Sequence, residues 1–280
     1  MFGYESWVYL QNSIIPATAA ETGVDRAKIE SEGLLGGTIA GSNMPLGQAH
    51  IYDWPIISAS FTTEASAETL SVIKNMIFNR NTPISIVVHN GYQGTQKIDQ
   101  AWWNNITIQA SEDSIITASV SLTGLERTAF DTGDFPDYWR NADGTYGSFC
   151  FSPIPFWNSK VVGYDYAKSW SLSISQDVIR FMGCMNYAGD TPRNPFIMGV
   201  GTLNGNFKFS TFDEYTGIDI WAMPEKFSGT PVINRTNLGL IINGSNFVSM
   251  TGEIVTVSDP MQNGANRSTI DYDYQIYSIS

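Results

Sequence analysis

Strict alternation of apolar and polar residues recurs along most of this chain. In SWSLSIS, residues 169–175, every second residue is apolar and the others are serines. Successive side chains of a β-strand leave opposite faces of the pleat, so this pattern predicts a strand with one buried and one hydrated face. Residues 57–63 and 116–122 repeat the pattern, with Ser and Thr at most polar positions. The chain is therefore predicted to be mostly β.

The period changes in one stretch, residues 66–80. Leu70, Ile73 and Ile77 recur there at helical spacing, and Ser66 precedes them as a helix-starting residue. The pattern predicts one helix of about four turns. The predicted fold class is thus all-β with one flanking helix, a β-sandwich or barrel with long hairpins.

Strand patterns also fill the C-terminal part of the chain. Residues 202–212 predict a strand with Leu203 inward, together with two phenylalanines. Residues 212–227 have the composition of a short second helix, and residues 251–257 and 269–279 predict a long hairpin.

Four segments follow from these patterns. Residues 1–44 have no stable period and predict an N-terminal arm or an edge strand that ends in a Gly-rich stretch. Residues 45–130 predict a first β module that carries the helix, and residues 164–280 predict a second β-rich module. The order of strand, helix and strands occurs in both modules, which favours an internal duplication, although residue identity between them is weak.

Residues 131–163, which connect the two modules, are rich in Pro and Gly and also in aromatic residues. A flexible linker would not carry so many rings, which bury their area against the domain or a neighbour. We therefore expect an ordered, packed connection. Trp139 and Trp157 are its candidate interface residues, because buried aromatic side chains dominate interface energetics.

The composition limits the classes of partner. Charged residues make up 15% of the chain, and 27 acidic against 15 basic residues give a net charge of −12. No basic patch is visible, so attractive binding to nucleic acid is not expected. No apolar run reaches the roughly 18 residues of a membrane helix, and the first residues lack a basic leader. The chain is predicted to be soluble and intracellular when it is synthesised, with no membrane partner.

Residues suited to catalysis or metal binding are scarce. His50 and Asp53 have no third partner at a convincing spacing, and His89 stands apart from them. Cys150 and Cys184 form no Cys-x-x-Cys pair. The chain is accordingly predicted not to be an enzyme and to need no metal or cofactor.

Several stretches resemble one family. ESWVYL, GLLGGTIAG and AETLSVIKNMIF resemble the N-terminal half of tail tube proteins of tailed bacteriophages. WNNITIQASEDSIITASVSLTGLE is similar to the central strands of that family. YAKSWSLSISQDVIRF and GVGTLNGNFKFSTF resemble its C-terminal half. The resemblance is one of pattern and spans roughly residues 33–280.

The resemblance implies a structural virion protein. Such proteins form a β-sandwich flanked by a helix, and they assemble into stacked rings around a lumen that viral DNA crosses without specific binding. Six copies would form a ring, or three if the subunit is duplicated. The implied partners are further copies, the sheath, and tail tip or terminator proteins. The implied location is the virion tail, after synthesis in the host cytoplasm.

Three carboxylates are candidate lumen residues under this interpretation. Asp271 and Asp273 alternate with apolar residues on the last strand, and Glu253 lies on the strand expected to pair with it. An acidic lumen would repel DNA and keep it from adhering. Two alternatives remain: a carbohydrate-binding or receptor-binding β-sandwich, and a glycosidase, which needs only two suitably spaced carboxylates.

Overall fold

Strands make up most of the described chain. The computed structural model describes residues 6–25, 28–30, 50–52, 56–90, 94–129, 152–182, 196–212, 236–258 and 269–280. Within these ranges the chain forms fifteen strands and one α-helix. The predicted all-β class with one flanking helix is confirmed.

The strands are β1 Ser6–Leu10, β2 Ser13–Ala17, β3 Ala19–Asp25, β4 Lys28–Glu30, β5 His50–Tyr52, β6 Ile56–Glu64, β7 Ile84–Asn90, β8 Gly94–Ser111, β9 Thr117–Ala129, β10 Ser159–Val161, β11 Ala167–Met182, β12 Phe196–Thr211, β13 Thr236–Ile242, β14 Ser245–Ser258 and β15 Ile270–Ile279. The helix α1, Ala67–Phe78, lies between β6 and β7. Thirteen strands belong to one antiparallel sheet, and β4 and β5 form a separate pair.

The helix forms where its period predicts it. Ser66 is the N-cap, and its side chain accepts a hydrogen bond from the backbone N–H of Thr69 at 3.1 Å. Leu70, Ile73 and Ile77 are buried in the core, as the helical spacing predicts.

The predicted inward faces of the strands are also buried. Trp170, Leu172 and Ile174 are at most 2% exposed. Leu203 lies on the same face as Phe207 and Phe209, as predicted, but 37% of its surface is exposed. The β11–β12 pairing shifts register between Gln176 and Val178, and β12 pairs with β15 only from Gly205 onward. Leu203 therefore lies on a two-stranded ribbon beyond the end of the core.

The first half of the chain forms a circuit of strands. The order is β3–β6–β9–β8–β7–β1–β2, with every neighbouring pair antiparallel. The chain bends at Thr18 and β2 continues directly into β3, so the two ends of this order are joined by the chain and not by a strand pairing. Residues 6–25, within the segment expected to be an arm or an edge strand, thus contribute three strands to this half.

The second half forms a similar circuit. Its order is β11–β12–β15–β14–β13–β10, and the chain turns from β10 back into β11. The strands of the two circuits, apart from β1, correspond one to one, in both chain order and pairing order. The corresponding pairs are β2 and β10, β3 and β11, β6 and β12, β7 and β13, β8 and β14, and β9 and β15. The strand order thus occurs twice, with β1 as an extra strand in the first half.

One long strand joins the two halves. β8 pairs with β7 through its first half and with β11 through Asn105–Ser111. The helix also contacts the second half, where Lys74 Nζ donates to the Asn246 carbonyl at 3.0 Å, and within the first half the indole of Trp103 donates to the Met76 carbonyl at 2.9 Å. The buried apolar residues of both halves form one continuous core.

The described part of the connecting segment, residues 152–163, is packed only in part. Ile154 and Val161 are buried, and the Ile154 backbone bonds to Ala65 and Ile116. Trp139 and the possible second helix at 213–227 lie outside the described residues.

Candidate functional site

A continuous polar surface, called here the polar face, covers eight strands in the order β3–β6–β9–β8–β11–β12–β15–β14. Its members are the residues that lie opposite one another in the strand register on the side away from the core. One row is Thr62, Ser119, Thr107, Ser173, Asn206, Gln275 and Glu253. The row beside it is Glu64, Thr117, Gln109, Ser171, Lys208, Asp273 and Thr256. A third row is Glu21, Ser60, Ser121, Asn105, Ser175 and Asn204.

Neutral hydrogen bonds link neighbouring strands on the polar face. The hydroxyls of Thr62 and Ser119 lie 3.0 Å apart, and Ser60 Oγ donates to the carboxylate of Glu21 at 3.1 Å. Gln275 Nε2 donates to the Gly205 carbonyl at 3.0 Å. Because these donors and acceptors bond to one another, few of them remain available in fixed positions to bind a ligand.

A trough of about 760 Å³ opens on the polar face where the two halves join. Residues of β8, β9, β11, β12, β14 and β15 and of the turn between β8 and β9 line it. Its polar lining includes Gln109, Ser171, Lys208, Asp271 and Asp273.

The structure places the three predicted carboxylates on this face. Tyr272, Tyr274 and Ile276 are buried, so the intervening residues of β15 point to the polar side, as the alternation predicts. Asp271 and Asp273 line the trough. Glu253 lies opposite Gln275 on the neighbouring strand, within the predicted hairpin of β14 and β15.

Neighbouring side chains hold the two aspartates. Ser210 Oγ donates to Asp271, and Asn206 Nδ2 donates to Asp273. Lys208 Nζ lies 3.4 Å from the Asp273 carboxylate. Sequence reasoning missed Lys208 and Asn206, because strand alternation alone does not say which strand lies beside β15.

The charged members of the polar-face rows are Glu21, Glu64, Glu253, Asp273 and Lys208, and Asp271 lies beside them. The acidic groups outnumber the basic group, so the face is electronegative. Lys208 neutralises part of this charge next to Asp273.

Trp157 lies on a 3-10 turn, Phe156–Asn158, is not among the residues that line the trough, and has 74% of its surface exposed. Tyr166 is also 67% exposed. In the single chain both side chains are largely exposed, and whether Trp157 is an interface residue stays a prediction.

His89 belongs to a different surface. Its ring stacks on Trp7 with centroids 5.0 Å apart, and its Nδ1 lies 2.7 Å from the Thr95 hydroxyl. Burial lowers the pKa of His89. Among the described residues, no group of three or more His, Cys, Asp or Glu side chains is arranged to hold a metal ion.

Comparisons of the sequence with protein-family models and with curated proteins return no match. Within the described ranges, no helix is long and apolar enough to cross a membrane.

Proposed function

We propose that this chain is a structural virion protein, a tail tube or tail tip subunit that assembles into rings and lines a channel for viral DNA with its polar face. The observation that carries the proposal is the continuity of this face across eight strands and both halves of the chain. A surface of this extent, rich in hydroxyl and amide groups and poor in charge, suits the wall of a water-filled passage.

The chemistry of the face suits a polyanion that must slide. Phosphates bind chiefly through Lys and Arg, and the paired rows carry Lys208 beside an acidic partner. The surplus of carboxylates repels DNA weakly along the wall. Hydroxyls that bond to one another offer only weak, exchangeable contacts to a passing phosphate.

The proposal is tested by assembly. Negative-stain images of concentrated purified protein should contain rings or stacked tubes with a central channel, and sedimentation should show mass that increases with protein concentration. A chain that remains monomeric at millimolar concentration in several salts would contradict the proposal. Matched images at low concentration control for aggregates that form on the grid.

Carbohydrate or receptor binding is a second candidate, favoured by the exposed Trp157. A sugar-binding surface uses an accessible aromatic ring, and Trp157 with Tyr166 offers two exposed rings. Titration of the monomer with oligosaccharides, followed by tryptophan fluorescence, distinguishes this function. A saturable signal that Trp157→Ala abolishes would support sugar binding without any assembly.

A further inference from the structure

The internal repeat relates the β8–β11 junction between the two halves to the edges of two other strands, β14 and β3. Inside the chain, β8 of the first half pairs with β11 of the second half. The matching strands are β14, the counterpart of β8, and β3, the counterpart of β11. These two strands lie at opposite ends of the polar face.

Both of these strands have an edge without a strand partner among the described residues. β13 pairs with β14 only as far as Gly252, so no described strand lies on that side of residues 253–258. Likewise, no described strand pairs with Gly23 or Val24 on the side away from β6. Exposed edges of this kind are templates for pairing with another chain.

The repeat also predicts which residues would meet. Thr63 and Thr211 are both fully buried, and each follows a core phenylalanine by two residues, so Phe61 corresponds to Phe209. Across the sheet, Phe61 faces Ala20 and Phe209 faces Trp170. Counting four residues along each strand then matches Val24 with Ile174.

The same register argument identifies the residue of β14 that corresponds to Ile106 of β8. Phe61 faces Val120, which faces Ile106, whereas Phe209 faces Tyr272, which faces Val257. Val257 is therefore the counterpart of Ile106. Ile106 and Ile174 face each other across the internal junction. A junction of the same kind between copies would place Val257 opposite Val24.

The corresponding residues Ile174 and Val24 differ in burial, as expected if one strand edge is covered and the other is open. Ile174 is fully buried where β8 covers it, whereas 48% of Val24 is exposed although it faces Ile57 on the core side of its strand. Val24 thus lies on the core side of its strand, and β6 is the one described strand that pairs with it. Val255, which lies at the bulge of β14, is also 52% exposed.

We infer that β14 of one copy pairs antiparallel with β3 of the next, with Val257 opposite Val24, so that a second copy of this chain repeats the internal β8–β11 junction. The contact joins two different edges, and such head-to-tail contacts close into rings or continue as helices. This inference rests on the proposed function, because it identifies the edges through which copies extend the polar face.

Disulfide trapping tests the pairing. In a background with Cys150→Ser and Cys184→Ser, Val24→Cys together with Val257→Cys should give a reducible ladder of covalent multimers after oxidation of assembled protein. Opposed residues of antiparallel strands have Cα separations of about 4.5–5.5 Å, within the range of a disulfide. Either single substitution should give no ladder beyond a dimer. Asn105→Cys with Ser175→Cys, at the internal junction, should cross-link within one chain and calibrates the geometry.

A second variant tests the pairing without cysteine chemistry. Val24→Lys should leave the monomer folded and raise the concentration needed for assembly by about tenfold or more, since a charge at an edge opposes pairing. Val162→Lys, at a 44% exposed valine on another surface, is the matched control and should assemble like the parent.

The outcomes separate the two proposals. Rings that form without the Val24–Val257 ladder, or with unchanged assembly of Val24→Lys, would overturn the edge pairing and leave the proposed function intact. A parent protein that never assembles in images or sedimentation would overturn both.

Discussion

The two halves of this molecule share a strand order but differ in what covers their edges. The first half presents β8 to β11 of the same chain, and this junction is buried. In the second half, residues 253–258 of β14 have β15 on one side and no described strand on the other. The same architecture is thus complete in one place and open in another, and the inferred β14–β3 pairing between copies would complete it.

The largest expected difference in stability is between a residue of the β8–β11 junction and a residue at the open edge of β3. Ile174→Ala removes a fully buried side chain and should lower the free energy of unfolding by about 2–5 kcal/mol. Val24→Ala should lower that of the monomer by less than about 1 kcal/mol, because its side chain is half exposed. Urea unfolding of dilute protein measures both. Equal losses at the two sites would break the comparison, since Val24 would then already be packed in the monomer.

A smaller effect is expected where the helix meets β8 in the first half. Trp103→Phe leaves the Met76 carbonyl at the end of α1 without its indole donor and should cost about 1–3 kcal/mol. Trp170→Phe is the matched control, because the Ser159 hydroxyl that accepts its indole N–H keeps a second bond, to the Phe156 carbonyl. Urea unfolding compares the two variants. A larger loss for Trp170→Phe would contradict the expected importance of the bond between α1 and β8.

The polar faces of the halves also differ, because Asp271 and Asp273 correspond to Ser119 and Ser121 in the repeat. Asp271→Lys with Asp273→Lys should change monomer stability by less than about 1 kcal/mol. In assembled particles it should slow DNA release, most strongly at low salt, because the new charges attract phosphate. The measurement is the rate of DNA ejection across a salt series.

The control for that experiment changes the same amount of charge elsewhere. Glu68→Lys with Glu112→Lys alters the start of α1 and a surface turn, outside the polar face. Ejection at the parental rate by the Asp271 and Asp273 variant would remove the channel assignment of this face.

The free energy of unfolding should depend modestly on pH because of His89, which lies in the first half. The pKa of His89 is lowered by burial, so the unfolded chain binds a proton before the folded chain does. The contribution of His89 to the free energy of unfolding should therefore be constant above about pH 6.5 and fall as the pH decreases below that value. Urea unfolding of the parent and of His89→Gln from pH 5 to 8 measures it. A parent that gains stability on acidification relative to the variant would contradict this sign.

The smallest effect on folding is expected at Trp157. Because 74% of its surface is exposed, Trp157→Ala should change monomer stability by less than about 0.5 kcal/mol. If Trp157 is an interface residue, assembly should weaken by about 2 kcal/mol or more. Sedimentation of the variant beside Val162→Lys separates these effects, and parental assembly would assign Trp157 to a free surface.

The sequence by itself determined the local structure wherever one face is buried and the other is wet. Alternation predicted β6, β9 and β11, helical spacing predicted α1, and the packed face of β15 followed from Tyr272 and Tyr274. It did not predict β1 and β2. In β2 residues on both faces are buried, as in Ile14 and Ile15, and in β1 the more exposed face carries Trp7 and Tyr9, so that the alternation of apolar and polar residues disappears.

Only the tertiary structure decided which strands lie side by side. Period-two patterns assign a face to each residue but carry no information about the neighbouring strand, which depends on contacts far apart in the chain. The row that joins Ser119 to Thr107 and Ser173 therefore became visible only through the register. For the same reason, Val24 reads as an ordinary strand residue in the sequence. Its exposure on the core side of an open edge is a property of the folded sheet.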